Sequence, residues 1–169
     1  MHTIEYIGLS IIGFFLLVAL SISWVRRANR KKLNRKLQRE FDDFIVENEL
    51  TIDNKQRFNR NIIGIDRLNY VVVFFNNNAK DIQSVRLKDL EECRVVKEKS
   101  EPGGHINHIY LKCSYKQKER GAIIFPFYNA YDDDLFMMMT ISKKANNWAK
   151  RINIFREAAV LKNKQRLTA

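Results

Sequence analysis

The sequence predicts an α+β protein. It reads as one transmembrane helix, a helical stem, then a strongly bent antiparallel sheet or partly open barrel capped by a C-terminal amphipathic helix. Three observations carry this reading. Residues 6–25 (YIGLSIIGFFLLVALSISWV) are uncharged and largely apolar. Residues 61–128 hold six short runs rich in β-branched and aromatic residues, separated by polar turns. Beyond Asp134, apolar side chains recur at three and four, the spacing of one helix face.

The first run has the length of a membrane span, since a bilayer core takes about 20 apolar residues as helix. Tyr6 and Trp24 near its ends suit the headgroup level. Arg26, Arg27, Arg30, Lys31, Lys32, Arg35, Lys36 and Arg39 follow, whereas residues 1–5 contain no Lys or Arg. The positive-inside rule then predicts a single-pass protein of the cell (inner) membrane, with its N-terminus outside and residues 26–169 in the cytoplasm. A cleaved secretory signal is the competing reading, with Ala19-Leu20-Ser21 as its small-residue site. The missing basic n-region and the basic stop behind the run weigh against it. The expected division is an anchor over 1–27, a basic amphipathic stem over 28–52, a folded domain over 53–161 and a basic tail over 162–169.

The net charge of +11 is unevenly placed. Residues 26–40 carry eight basic groups against Glu40, and residues 143–169 carry eight against Glu157, so the centre is nearly neutral. A nucleic-acid-binding face is basic as a continuous patch, which this distribution does not supply. A basic segment beside a membrane span has the anionic leaflet as its simplest partner, at about 1 kcal/mol for each residue near the surface. The same residues also serve topology alone. Arg26, Arg27, Arg30, Lys31, Lys32, Arg35, Lys36 and Arg39 are therefore the candidate lipid-headgroup contacts.

In the stem, Leu33, Leu37, Phe41, Phe44 and Ile45 form one apolar stripe, to be buried against the following domain or another copy of the chain. The predicted strands are residues 61–66, 70–76, 81–87, 91–99, 106–115 and 121–128. Over 106–113, Asn107, Ile109, Leu111 and Cys113 alternate with a more polar set, so they face inward. Pro126 has no amide proton, which makes the last strand an edge or bulges it. Asp132, Asp133 and Asp134 then suit the start of a helix, where carboxylates cap free amides. That helix has a stripe of Met138, Ile141, Ala145, Trp148, Ile152, Phe155 and Ala159. Trp148, Ile152 and Phe155 are the expected capping contacts. Cys93 and Cys113 lie in strand-like runs and read as free, buried thiols of a reducing compartment.

This order of elements resembles a bacterial-type pleckstrin-homology-like (PH-like) domain. The pieces that look alike are NIIGID–RLN–YVVVFF, DIQSVRLKDLEECRVV, INHIYLKC, AIIFPFY and MTISKKANNWAKRINIFREA. The resemblance covers about 100 residues by pattern alone, and it implies a bent sheet plugged by the C-terminal helix. Two departures stand beside it. Six strands are legible where that fold has seven. The first hairpin loop, Arg67-Leu68-Asn69, has one basic residue where phosphoinositide-binding members have a cluster. The resemblance therefore implies a scaffold or adaptor role and not inositol-phosphate recognition.

No catalytic constellation emerges, so the chain reads as a non-enzyme without cofactor or metal. His105 and His108 point to opposite faces on a strand and lack further converging ligands near Cys113. The three aspartates lack the calcium-loop spacing. There is no glycine-rich phosphate loop and no nucleophile elbow. Met137-Met138-Met139 behind Phe136 reads as core packing; Phe136, Met137 and Met139 become the candidate partner site if they are exposed. The expected function is a membrane-anchored scaffold that holds a protein partner, or itself as a homo-oligomer, at the membrane. The alternative is a membrane-tethered nucleic-acid binder using the stem and the C-terminal helix. Arg57-Phe58-Asn59-Arg60 and Tyr115-Lys116-Gln117-Lys118 interleave aromatic and basic residues as single-strand binders do, but so do ordinary loops.

Overall fold

The structure, a computed structural model, describes residues 21, 24–25, 28, 32–33, 35–58, 61–76 and 81–167. The chain divides into two compact units, residues 1–40 and residues 41–169. In the first unit every described residue is helical. Lys36 pairs with Glu40 at 3.7 Å one turn on, and Leu37 is buried.

The expected fold class is corrected in its membrane element. No helix among the described residues is long and apolar enough to cross a membrane. The longest, Met138–Leu167, has 30 residues but carries basic side chains along its length, which no bilayer core accepts without large cost. Of the run from Tyr6 to Val25, only Ser21, Trp24 and Val25 are described, and the rest lies outside the described residues. What stands is α+β: two antiparallel sheets and a C-terminal helix.

The second unit opens with α1, residues 41–47. Its end is closed by Leu50 N–H donating to the Ile45 carbonyl at 3.0 Å, with Glu49 in the left-handed region at φ 52°. Seven strands follow: β1 Ile52–Phe58, β2 Asn61–Asp66, β3 Val71–Asn76, β4 Asp81–Arg86, β5 Leu90–Lys99, β6 Ile106–Tyr115 and β7 Ala122–Asn129. Strands β1 to β4 form one antiparallel sheet in sequence order, and β5 to β7 form another. A 3₁₀ turn, Leu87–Asp89, carries the chain between them. The expected strongly bent single sheet or partly open barrel is corrected here as well: the strands divide into two separate sheets, because β4 pairs with β3 alone and β5 with β6 alone. The element without a sequence expectation is β1, whose polar run IDNKQRF buries only Phe58 fully. Pro126 sits on the edge strand β7, and the β6–β7 register shifts beside it, between Ile109 and Tyr110. Both follow from the missing amide proton.

Aromatic rings join the sheets. Phe58 stacks on Phe127 with centroids 4.0 Å apart, and Phe74 stacks on Phe125 at 4.9 Å. Ile109, Leu111 and Cys113 complete the inner wall of β6, all fully buried. Helix α2, Met138–Leu167, lays Ile141, Ala145, Trp148, Ile152 and Ala159 into this core, with Phe155 half-buried against it. Trp148 Nε1 donates to Gln56 Oε1 on β1 at 2.6 Å. Asn153 grips β5 at both ends of one residue: its Oδ1 accepts from Cys93 N–H at 3.0 Å, and its Nδ2 donates to the Cys93 carbonyl at 2.7 Å. The helix is therefore bonded to both sheets.

Two positions in the first sheet are tightly constrained. A Cβ on Gly64 would stand 2.9 Å from Ile52 Cγ2 and 3.1 Å from Phe41 Cζ, so the bare backbone lets α1 and β1 close over β2. Asp66 is fully buried at the β2–β3 turn. Its carboxylate accepts from the backbone N–H of Thr51, Leu68 and Asn69 and from Asn69 Nδ2, all at 2.8 Å. Burial pushes its pKa up, but these hydrogen bonds outweigh burial and hold it below the usual carboxylate value.

Gly64→Ala is expected to lower stability by about 1–3 kcal/mol, read as a lower urea midpoint with an unchanged slope. Asp66→Ala leaves buried amides without acceptors and is expected to cost about 3 kcal/mol or more. The folded pKa of Asp66 lies below the unfolded value of about 3.9. Its contribution is therefore complete above that pH and is lost as the pH falls through the folded value. Denaturation curves between pH 7 and pH 2 should show a steeper acid loss in the parent chain than in Asp66→Ala.

Candidate partner-recognition site

The turn from β7 into α2 carries the molecule's densest run of exposed apolar side chains among the described residues. Tyr131, Leu135, Phe136, Met137 and Met139 are all exposed, Phe136 at 91%. The methionine run is split by helical geometry. Met138 is half-buried against the core, so core packing describes it alone, while Met137 and Met139 on either side face out.

The turn is held by its own carboxylates. Asp134 Oδ1 accepts from Phe136 N–H at 3.0 Å, capping the 3₁₀ turn Leu135–Met137 that leads into α2. Asp133 Oδ2 accepts from Asn129 N–H at 2.9 Å, and Asp132 Oδ2 accepts from Asn129 Nδ2 at 2.8 Å. The backbone N–H of Ala130 also donates to the Asn107 carbonyl at 2.8 Å. These bonds fix the apolar tip at little entropic cost on binding, which suits a docking surface.

Beside the turn lies an open cavity of about 400 Å³. Asn61, Glu98, Tyr110, Tyr128, Asp132 and Asp133 are on its wall. Tyr110 Oη donates to Glu98 Oε1 at 2.6 Å, and that bond, then burial and the Glu98 charge, raises the Tyr110 pKa. Tyr128 is 2% exposed, and its hydroxyl has no hydrogen-bond partner. Burial first, then the charges of Asp133 and Asp134, pushes its pKa up and keeps it protonated. Asn61 Nδ2 donates to the Pro126 carbonyl at 3.0 Å, while its buried Oδ1 has no partner. The ring of His108 reaches Tyr131 with centroids 6.4 Å apart, joining the cavity to the apolar tip.

The other sequence candidates fall elsewhere. Of the basic stem, Arg26, Arg27, Arg30 and Lys31 lie outside the described residues, and Lys32, Arg35, Lys36 and Arg39 are exposed. Trp148 and Ile152 are buried and Phe155 is half-buried, beneath Arg67 at 5.1 Å. Several cations of α2 are committed within the fold. Arg151 lies over Trp148 at 5.1 Å and donates to Asn54 Oδ1 at 3.1 Å, Arg156 pairs with Glu157 at 3.3 Å, and Lys162 lies over Tyr70 at 5.2 Å. His105 is exposed, apart from the cavity that His108 lines. No group of three or more His, Cys, Asp or Glu among the described residues is placed to hold a metal.

Cys93 and Cys113 face each other across β5 and β6, both buried, with sulfurs 2.8 Å apart. The hydrogen bond between them, then burial, pushes the Cys113 thiol up, so it stays protonated and unreactive. The cavity had no sequence signal, because its wall is assembled from β2, β3, β5, β6, β7 and the following turn.

The chain matches no protein family, no curated protein and no solved structure.

An unpartnered buried hydroxyl carries a desolvation cost, so Tyr128→Phe is expected to be neutral or to stabilise the fold by about 1 kcal/mol. A thermal or urea melt of the variant checks this, and a clear loss of stability would contradict it.

Proposed function

We propose that residues 41–169 are a protein-binding module of PH-like architecture, acting as a scaffold and without catalysis. The observation that carries the reading is the exposed apolar tip Tyr131–Met139, clamped by internal hydrogen bonds and rimmed by carboxylates. Contiguous exposed apolar side chains within a polar rim are characteristic of protein interfaces. The seven strands and the single C-terminal helix bonded to both sheets support the PH-like reading. The aspartate rim repels an anionic bilayer or nucleic-acid backbone, so the favoured occupant of this face is a protein with basic groups around an apolar centre. A second copy of the chain is one form of that partner, given its two basic segments.

The exposed Lys32, Arg35, Lys36 and Arg39 support a second, separate contact of the stem with anionic headgroups at a cytoplasmic membrane face. The nucleic-acid alternative is less well supported, because Arg151, Arg156 and Lys162 are engaged within the fold.

A photo-crosslinking residue placed at Met137 in the full chain, in its own cells, tests the binding reading. A discrete adduct is expected there and not from the same residue at Glu119, an exposed position in another turn. Phe136→Ser is expected to reduce the adduct by about tenfold or more, the scale of losing one interface anchor, with unchanged melting. Equal, diffuse labelling at both positions would refute the reading. Vesicle binding that falls with added salt, and falls further in a Lys32/Arg35/Lys36/Arg39→Ala chain, tests the stem contact.

A further inference from the structure

The cavity beside the apolar tip is rich in acceptors. Glu98, Asp132 and Asp133 supply carboxylates, and Asn61 Oδ1 is a buried acceptor without a partner. Several donors of the wall are already spent inside it. Asn61 Nδ2 goes to the Pro126 carbonyl, Tyr110 Oη to Glu98, and Asn129 Nδ2 to Asp132. No lysine or arginine lines it among the described residues. The Tyr128 hydroxyl, near the Asp133 and Asp134 charges, is buried without a partner at the same wall. An unpaired buried polar group is costly, and a ligand with N–H donors would satisfy it. The wall also has an apolar side, formed by Ile124 and Pro126.

From this arrangement we propose that the cavity receives a lysine or arginine side chain of the protein bound at the Tyr131–Met139 tip. The proposal rests on the protein-binding reading and specifies its partner. The cationic head meets the carboxylates, Asn61 Oδ1 and the Tyr128 hydroxyl. The methylene stem lies along Ile124 and Pro126, as long basic side chains do on apolar surface. An anionic group is disfavoured by three carboxylates, and a purely apolar one would leave the acceptors dry. The partner motif is therefore a basic residue beside apolar anchors that cover Phe136 and Met139.

The test uses the ¹⁵N-labelled full chain and three small probes: Nα-acetyl-arginine methylamide, the lysine equivalent, and the citrulline equivalent as the neutral isostere of arginine. Saturable shifts are expected at Asn61, His108 and Tyr128 with the two cationic probes, in the millimolar range typical of so small a ligand. Citrulline is expected to produce none. The Glu98→Gln/Asp132→Asn double variant, which keeps shape and hydrogen-bonding capacity, should weaken binding by about tenfold. Tyr128→Phe should weaken it with the fold intact. Equal binding of citrulline, non-saturating shifts, or shifts indifferent to all three substitutions would overturn the proposal. Phe136→Ser separates the two readings. If it abolishes the Met137 crosslink while no cationic probe binds, the cationic pocket fails and the partner surface stands. If the probes bind but no crosslink forms, the pocket stands as a cation site and its assignment to a partner's side chain is overturned.

Discussion

The architecture depends on one helix being held by two sheets at once. Trp148 is buried to 1% and still donates its indole hydrogen to Gln56 on β1. Five residues further on, Asn153 pairs with both backbone groups of Cys93 on β5. A buried indole without an acceptor, or a strand residue without its ladder partner, would each carry a desolvation cost. With both satisfied by α2, the four-stranded and three-stranded sheets share a single core. The Phe58–Phe127 and Phe74–Phe125 stacks fill the space between the sheets, and Arg151 lies over the Trp148 ring.

That anchoring has a consequence for the segment entering the helix. Since α2 cannot shift along the sheets without breaking the Trp148 and Asn153 bonds, the turn from Asn129 to Met138 is pinned at both ends. Asp132, Asp133 and Asp134 each hold it through one carboxylate oxygen, and its apolar residues outnumber the inward-facing positions. Met138 takes an inward position, and Leu135, Phe136, Met137 and Met139 remain outside. Exposure of that kind costs solubility and contributes nothing to the core, which is the physical ground for reading it as a binding surface. The unsatisfied Tyr128 hydroxyl beneath it is a similar cost at the same place.

Much of the second unit was legible in the sequence because it follows from periodicity. Two-residue alternation in INHIYLKC marked the inner wall Ile109, Leu111 and Cys113, and three- and four-residue spacing marked the buried stripe of α2. The edge position and register shift at Pro126 follow from its missing N–H. Strand β1 escaped because an edge strand with one fully buried residue has almost no hydrophobic pattern. The spanning helix expected from the uncharged run has no counterpart among the described helices, none of which is long and apolar enough to cross a membrane. The cavity was invisible because its wall joins side chains from five strands and a turn, spread from Asn61 to Asp133, and no local pattern marks residues that meet only across the sheets.

The sequence by itself determined which residues alternate, which recur at helical spacing, and where charge accumulates, since these are properties of neighbours along the chain. It therefore yielded six of the seven strands, the C-terminal helix and the basic flanks. Only the tertiary structure decided that the strands divide into two sheets, that Cys93 faces Cys113, and that Met138 turns inward while Phe136 turns out. It alone placed Asn61, Tyr128 and the aspartates around one space. Those outcomes depend on which distant surfaces meet, and that is set by packing across the sheets rather than by any local pattern.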